Sequence, residues 1–204
     1  MRATYLRTDA EVIADSRGTP GEFTELYKRH SVHVFRYISS RLGRDCAEDV
    51  SSDTFLVAFE RRGSFKPEAV NALPWLLGIA TQLIRRRRRE EAASWRLTDA
   101  ISGLGGDGTV HSGHDPSDDS DARLEASLAL KSIAGSIARL RRGDRDVLTL
   151  AAWSELDSSG IAEALGIPEG TVRSRLHRCR RILKAHLEAA GVRDLETHDE
   201  RSRV

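Results

Sequence analysis

Cysteine is nearly absent: 204 residues hold two, Cys46 and Cys179, far apart and with no CxxC spacing. Neither a disulfide scaffold nor a zinc ribbon is indicated, and each thiol suits a small helix residue in a reducing compartment. Long apolar runs are missing as well. No stretch approaches the roughly 20 residues of a membrane span, and the opening MRATYLRTDAEVIADS carries charges where a signal peptide has its apolar region. The expectation is a cytoplasmic protein without membrane insertion. No segment alternates with period two for long enough to make a strand, no glycine-rich phosphate loop follows a strand, and no nucleophile motif occurs. The histidines at 30, 33, 111, 114, 177, 186 and 198 are scattered. His30 and His33 lie one helical turn apart, but no Cys or carboxylate completes a metal set beside them. The expectation is a protein that is not an enzyme and takes no cofactor or metal.

Charge is present but sorted. The net charge is only +1, too small for a wholly basic nucleic-acid coat. Yet Arg85 to Arg89 is an unbroken arginine run, while Leu97 to Ala122 contains six aspartates and no Lys or Arg. Local balance therefore carries more information than the total.

Apolar periodicity predicts an all-α fold of two small helical domains. Thr8-Asp9-Ala10-Glu11 is a capping-box pattern, and Thr19-Pro20-Gly21-Glu22 repeats the signal. A long amphipathic helix follows on Phe23, Leu26, Tyr27, His30, Val34, Tyr37, Ile38 and Leu42, closed by Gly43. A third helix opens at Asp45 and stops near Gly63. Asn71 can cap a fourth, whose Pro74 lies in the tolerated first turn. Most aromatic residues fall in this half, which places a domain at about residues 8–95. Residues 96–122, rich in Gly, Ser and Asp, read as a flexible acidic linker. Apolar periodicity resumes at Leu124, giving a second domain at 123–190 and a disordered tail at 191–204.

The second domain carries the most specific signal. Asp157 is a good N-cap, Gly166 can end a helix in the left-handed conformation, and Pro168 is tolerated where the next begins. In that next helix Val172, Leu176, Cys179, Leu183 and Leu187 form one apolar stripe. Ser174, His177, Arg178 and Arg181 fall on another face. A short helix, a glycine turn and a second helix with a basic and polar face make a helix-turn-helix, whose second helix enters the DNA major groove. Arginine grips guanine edges bidentately, and Ser or His adds single hydrogen bonds. Arginines 85 to 89 suit phosphates, giving salt-sensitive binding without sequence reading.

Four segments together resemble the extracytoplasmic-function (ECF) group of bacterial RNA polymerase sigma factors: DAEVIADSRGTPGEFTELYKRH, CAEDVSSDTFLVAF, GSFK with LPWLLGIATQLIRRRRR, and LRRGDRDVLTLAAWSEL with GIAEALGIPEGTVRSRLHRCRR. The match covers about residues 9–190. The resemblance implies a transcription initiation factor whose partners are core RNA polymerase, through the large-subunit clamp helices and the flap, and promoter DNA. An anti-sigma factor is a further partner it implies. By residue, it assigns Glu48, Asp49, Ser52, Asp53, Thr54 and Phe55 to the polymerase. It assigns Phe65, Lys66, Asn71, Trp75, Thr81, Gln82, Arg85 and Arg86 to the −10 element. Thr171, Arg173, Ser174, Arg175, His177, Arg178 and Arg181 fall to the −35 element.

The residues also admit plainer roles. Trp75 at helical spacing suits a core, and Asn71 suits a helix cap. The acidic linker fits either a solvated spacer or a carboxylate-rich strand in the polymerase RNA path. Ser52 stands where family members often have glutamine, Gln82 where asparagine is frequent and Arg86 where aspartate is frequent, so no particular −10 sequence is implied. Gly160 lies inside a helix where glutamate is common, at roughly 1 kcal/mol of helix propensity relative to alanine. The rival reading is a stand-alone helix-turn-helix regulator, which binds duplex DNA tightly without polymerase.

Overall fold

A computed structural model describes residues 7–102, 135–137 and 139–189. Among these all regular structure is helical, as the lack of period-two alternation predicts. The linker residues 103–122, the segment 123–134 and the tail 191–204 lie outside the described residues.

Local chemistry sets the ends of the first helices. Thr8 starts α1 (Asp9–Asp15) with both halves of a capping box: its hydroxyl accepts the Glu11 amide at 3.3 Å, and the Glu11 carboxylate accepts the Thr8 amide at 2.6 Å. Pro20 begins a single 3-10 turn (Pro20–Glu22) that leads into α2 (Phe23–Leu42), which ends at Gly43 with φ 81°. A side chain there would be strained. α3 spans Ala47–Glu60, and α4 spans Leu73–Ser102 after a second 3-10 turn at Arg62–Ser64. α4 thus continues through residues 96–102, where a linker was expected. Trp95-Arg96-Leu97 still propagates a helix, and the first glycine of the stretch comes only at Gly103.

Among the described residues that follow are α5 (Arg142–Trp153), α6 (Ser158–Leu165) and α7 (Glu169–Ala189). Asp157 caps α6 by accepting the Gly160 amide at 2.7 Å. Gly166, φ 63°, ends it, and the two bonds of a Schellman motif are present, Ile167 N–H to the Ala162 carbonyl and Gly166 N–H to that of Glu163. The Pro168 carbonyl then accepts the Val172 amide, so proline sits at the start of α7, where its missing N–H does no harm. A Cβ on Gly160 would lie 3.2 Å from Leu156 Cδ2 and 3.3 Å from the Asp157 carboxylate. Glycine keeps that cap uncrowded, which accounts for a residue that helix propensity disfavours.

Packing groups the chain into two compact units, residues 1–113 with 149–172, and 114–148 with 173–204. In the first, α2, α3 and α4 enclose Leu26, Val34, Tyr37, Ile38, Ala58, Leu76, Leu77 and Ile84. Each of the Leu, Ile and Val side chains among them contributes about 1.5–3 kcal/mol when fully buried. Edge-to-face pairs join Phe23 to Phe59 and Tyr27 to Phe55, with centroids 5.3 and 4.8 Å apart. α6 packs against α4 at Gly78, where an added Cβ would come within 2.6 Å of the Ala164 carbonyl oxygen.

The same unit holds a buried carboxylate. Asp9 Oδ2 accepts from His30 Nε2 at 2.7 Å and from the Ala72 amide at 2.8 Å, and Oδ1 accepts from Arg29 at 3.0 Å. One side chain thus ties α1 to α2 and to the residue before α4. Burial alone would push the carboxyl up. The hydrogen bonds from His30 and Ala72, the charge of His30 and the bond from Arg29 outweigh it and hold the carboxyl below its ordinary value.

Candidate nucleic-acid interface

The apolar stripe of α7 faces inward as its spacing predicts: Val172 and Cys179 are fully buried, and Leu176, Leu183 and Leu187 half-buried. Arg173, Ser174, His177, Arg180 and Arg181 are exposed. At 100° per residue these five lie within about 120° of arc, one face of the helix. Arg180 was missed in the sequence reading although its spacing from His177 and Arg173 gives the same face. Thr171 is half-buried at the helix start.

Arg175 and Arg178 are placed differently. Both are half-buried and turn toward Asp144 near the start of α5, with ion-pair distances of 3.9 Å from Arg175 and 3.5 Å from Arg178. The Arg175 guanidinium lies over Gly143 so closely that a Cβ there would collide with it. The Cys179 thiol reaches the Asp144 carbonyl oxygen at 3.5 Å. Burial, and then the charge of Asp144, push that thiol up against the pull of Arg178, which keeps its proton available to donate.

On α4 Gln82, Arg85, Arg86 and Arg89 are exposed at steps i, i+3, i+4 and i+7, so they form one stripe, followed by exposed Glu90 and Glu91. The remaining two arginines of the run are half-buried: Arg87 bonds Glu91 at 3.3 Å and Arg88 bonds the Arg41 carbonyl at 2.6 Å. Thr81, expected among the −10 residues, belongs to the core instead. It is 1% exposed, its hydroxyl donates to the Leu77 carbonyl, and it pairs with the Tyr37 hydroxyl at 2.8 Å. Its step from Leu77 and Ile84 puts it on the inner face.

In the loop before α4, Lys66 is exposed while Phe65, expected among the −10 residues, is buried. It packs edge-to-face on Trp75, centroids 5.2 Å apart, and Trp75 is half-buried, so the indole is the reachable ring of the pair. Exposed Asn71 accepts the Leu73 amide at 2.8 Å, which makes it the cap that its type suits.

α3 presents a third exposed face: Glu48, Asp49, Ser52, Asp53, Leu56 and Glu60. Thr54 and Phe55, expected with them, point inward. The Thr54 hydroxyl bonds the Val50 carbonyl at 2.7 Å, and Phe55 packs on Tyr27. Leu56 and Tyr27, both more than half exposed, were missed. Leu56 stands four residues after Ser52, a step that marks it as part of the acidic face. Among the described residues no three His, Cys, Asp or Glu side chains converge as a metal site would require, and no helix is long and apolar enough to cross a membrane.

Residues 26–94 match the family described as Sigma-70 region 2, and residues 130–183 match Sigma-70, region 4. The ECF RNA polymerase sigma factor SigL of Mycobacterium tuberculosis is 32% identical over 169 residues, covering 82% of this chain and 89% of SigL. The fold is shared with CnrH, solved in complex with the cytosolic domain of CnrY, at 24% identity and a TM-score of 0.61, over 90% of this chain and 99% of that one. It is shared too with the sigma factor RpoE of Bartonella quintana, solved with the anti-sigma factor NepR, at 21% identity and a TM-score of 0.57, over 82% and 97% of the two chains.

Proposed function

The chain belongs to the ECF group of RNA polymerase sigma factors and so directs core polymerase to promoters; from that premise we propose a division of labour among its exposed faces. The outer face of α7, with Arg173, Ser174, His177, Arg180 and Arg181, reads the −35 element in the major groove, with Thr171 at the helix start beside it. The α4 stripe of Gln82, Arg85, Arg86 and Arg89 holds phosphates next to the −10 element, where Lys66, Asn71 and Trp75 handle the opened strand. A flat indole offers the stacking surface that an unstacked base requires. The α3 face of Glu48, Asp49, Ser52, Asp53 and Leu56 docks on the polymerase clamp helices, and the second domain meets the flap.

The observation that carries this reading is the clustering of five polar and basic side chains on one side of α7, the helix that begins after the Schellman turn at Gly166. The matches over 26–94 and 130–183 support functional modules at about 8–95 and 123–190, joined by the acidic stretch 96–122. The proposed role assigns no chemical step to the chain, and it acts in the cytoplasm with the polymerase. An anti-sigma factor, the partner in the RpoE structure, would silence this chain by covering the same faces.

Run-off transcription with purified core tests the assignment. Initiation requires both core and this chain, and substitution of Arg173 and Arg181 lowers it at the chain's own promoter. Tight duplex binding by the chain alone, with no core-dependent start, would return the reading to a stand-alone regulator.

A further inference from the structure

Arg175 and Arg178 stand on the helix proposed to read the −35 element, yet both guanidinium groups face a carboxylate instead of the outer arc. The Asp144 side chain is only 6% exposed and lies within 3.5–3.9 Å of both cations, and the Cys179 thiol donates to the backbone carbonyl of the same residue. Gly143 leaves room for Arg175 to lie flat against the backbone, which a Cβ would forbid. The seat therefore depends on a glycine and an acid in sequence, in the first turn of α5, where a negative charge is also favoured by the helix dipole. The distances exceed the 2.7–2.9 Å or so of a tight charge-assisted hydrogen bond. The arginines are held by charge, without locked geometry.

Resting on the −35 reading of α7, we propose that Asp144 is a specificity-determining positioning residue: it withholds Arg175 and Arg178 from the DNA phosphates and leaves discrimination to the outer face. A phosphate contact binds every sequence alike, whereas base-edge contacts bind selectively. Two cations held in reserve lower affinity for all DNA and raise the ratio between the promoter and everything else.

The test is the salt dependence of binding by the full chain, measured on a duplex carrying the upstream half of its mapped promoter and on an unrelated duplex. Each cation that reaches a phosphate steepens the log–log slope by about 0.9. Asp144→Asn binds the unrelated duplex more tightly, steepens the slope by about 1 to 2, and shrinks the promoter-to-unrelated ratio. The Arg175→Gln/Arg178→Gln pair, with Asp144 intact, keeps the wild-type slope. A slope unchanged or shallower in Asp144→Asn, or shallower by about 1 to 2 in the arginine pair, overturns the proposal. If either variant fails to fold, the triple amide variant, which leaves no buried charge unpaired, carries the test: a wild-type slope supports the proposal and a shallower one sinks it. Arg173→Gln/Arg181→Gln separates the two layers. If it leaves promoter preference intact, the −35 reading fails and takes the proposal with it; otherwise a failed Asp144 test removes the proposal alone.

Discussion

Asp9 and Asp144 are equally buried carboxylates, 7% and 6% exposed at the side chain, and each faces two basic side chains. They differ in how those partners are held. Asp9 takes His30, Arg29 and a backbone amide at 2.7–3.0 Å, so both of its oxygens are engaged at hydrogen-bond distance. Asp144 has its two arginines at 3.5 and 3.9 Å, and neither lies at such a distance. The first arrangement joins three segments of the fold, and opening it amounts to unfolding. The second joins one helix to the side chains of its neighbour, and those can be drawn away while the helices stay packed. Equal burial thus accompanies opposite roles, a staple in one place and a detent in the other.

The sharpest way to break this comparison is to remove both carboxylates in turn. Asp9→Ala leaves His30 and Arg29 without their acid and the Ala72 amide without an acceptor. Breaking a buried charge pair this way costs about 3 kcal/mol or more, read as a lower midpoint in urea. Asp144→Asn lowers that midpoint much less, because the amide still offers an acceptor and the arginines reach water. Equal losses would mean that both are staples. A pH series sharpens the same point. The Asp9 carboxyl is held below its ordinary value, so its contribution is fully present above the unfolded value of about 3.9 and is lost as pH falls through the lower folded value. Asp9→Asn removes that acid limb, and a limb unchanged in the variant would place its origin elsewhere.

The arginine run of α4 offers a smaller effect of the same kind. Arg85, Arg86 and Arg89 are exposed, Arg86 with Glu90 at 3.5 Å and Arg89 on the Arg85 carbonyl, whereas Arg87 and Arg88 are half-buried and bond Glu91 and the Arg41 carbonyl. Changing the outward three to Gln flattens the salt dependence of promoter binding by roughly 2 to 3 in slope. Changing Arg87 and Arg88 leaves the slope alone, and loss of the bond from Arg88 to the Arg41 carbonyl lowers stability by about 1 kcal/mol. If both sets flatten the slope alike, the inner pair is as available to DNA as the outer three.

What could be read from the chain beforehand follows from range. The Thr8–Glu11 capping box, the glycines at 43 and 166 and the Asp157 cap involve residues within a few positions of one another, and all are present in the structure. Faces are legible too. Thr54, Phe55 and Thr81 were placed by resemblance to a motif, while their steps from Val50, Ala58, Leu77 and Ile84 already put them inside. The same steps expose Leu56 and Arg180. The Asp9 and Asp144 clusters were not legible by any local rule. Their partners lie 20 to 63 residues away for Asp9 and on a separate helix for Asp144, so only tertiary packing brings them together.

The smallest expected effect belongs to a third carboxylate. Asp157 is exposed and accepts a single amide, that of Gly160, at 2.7 Å. Asp157→Ala costs about 1 kcal/mol, the usual worth of an N-cap. Gly160→Ala sets two terms against each other. Alanine adds up to about 1 kcal/mol of helix propensity, but its methyl group meets Leu156 Cδ2 at 3.2 Å and the capping carboxylate at 3.3 Å, closer than ordinary van der Waals contact. Relief of either contact turns Asp157 or Leu156 away and weakens the cap that the glycine serves. The two terms nearly cancel, so the melting temperature moves by no more than a few degrees. A gain worth the full propensity difference would show that the Asp157 cap contributes little, and that Gly160 is kept for something other than the cap.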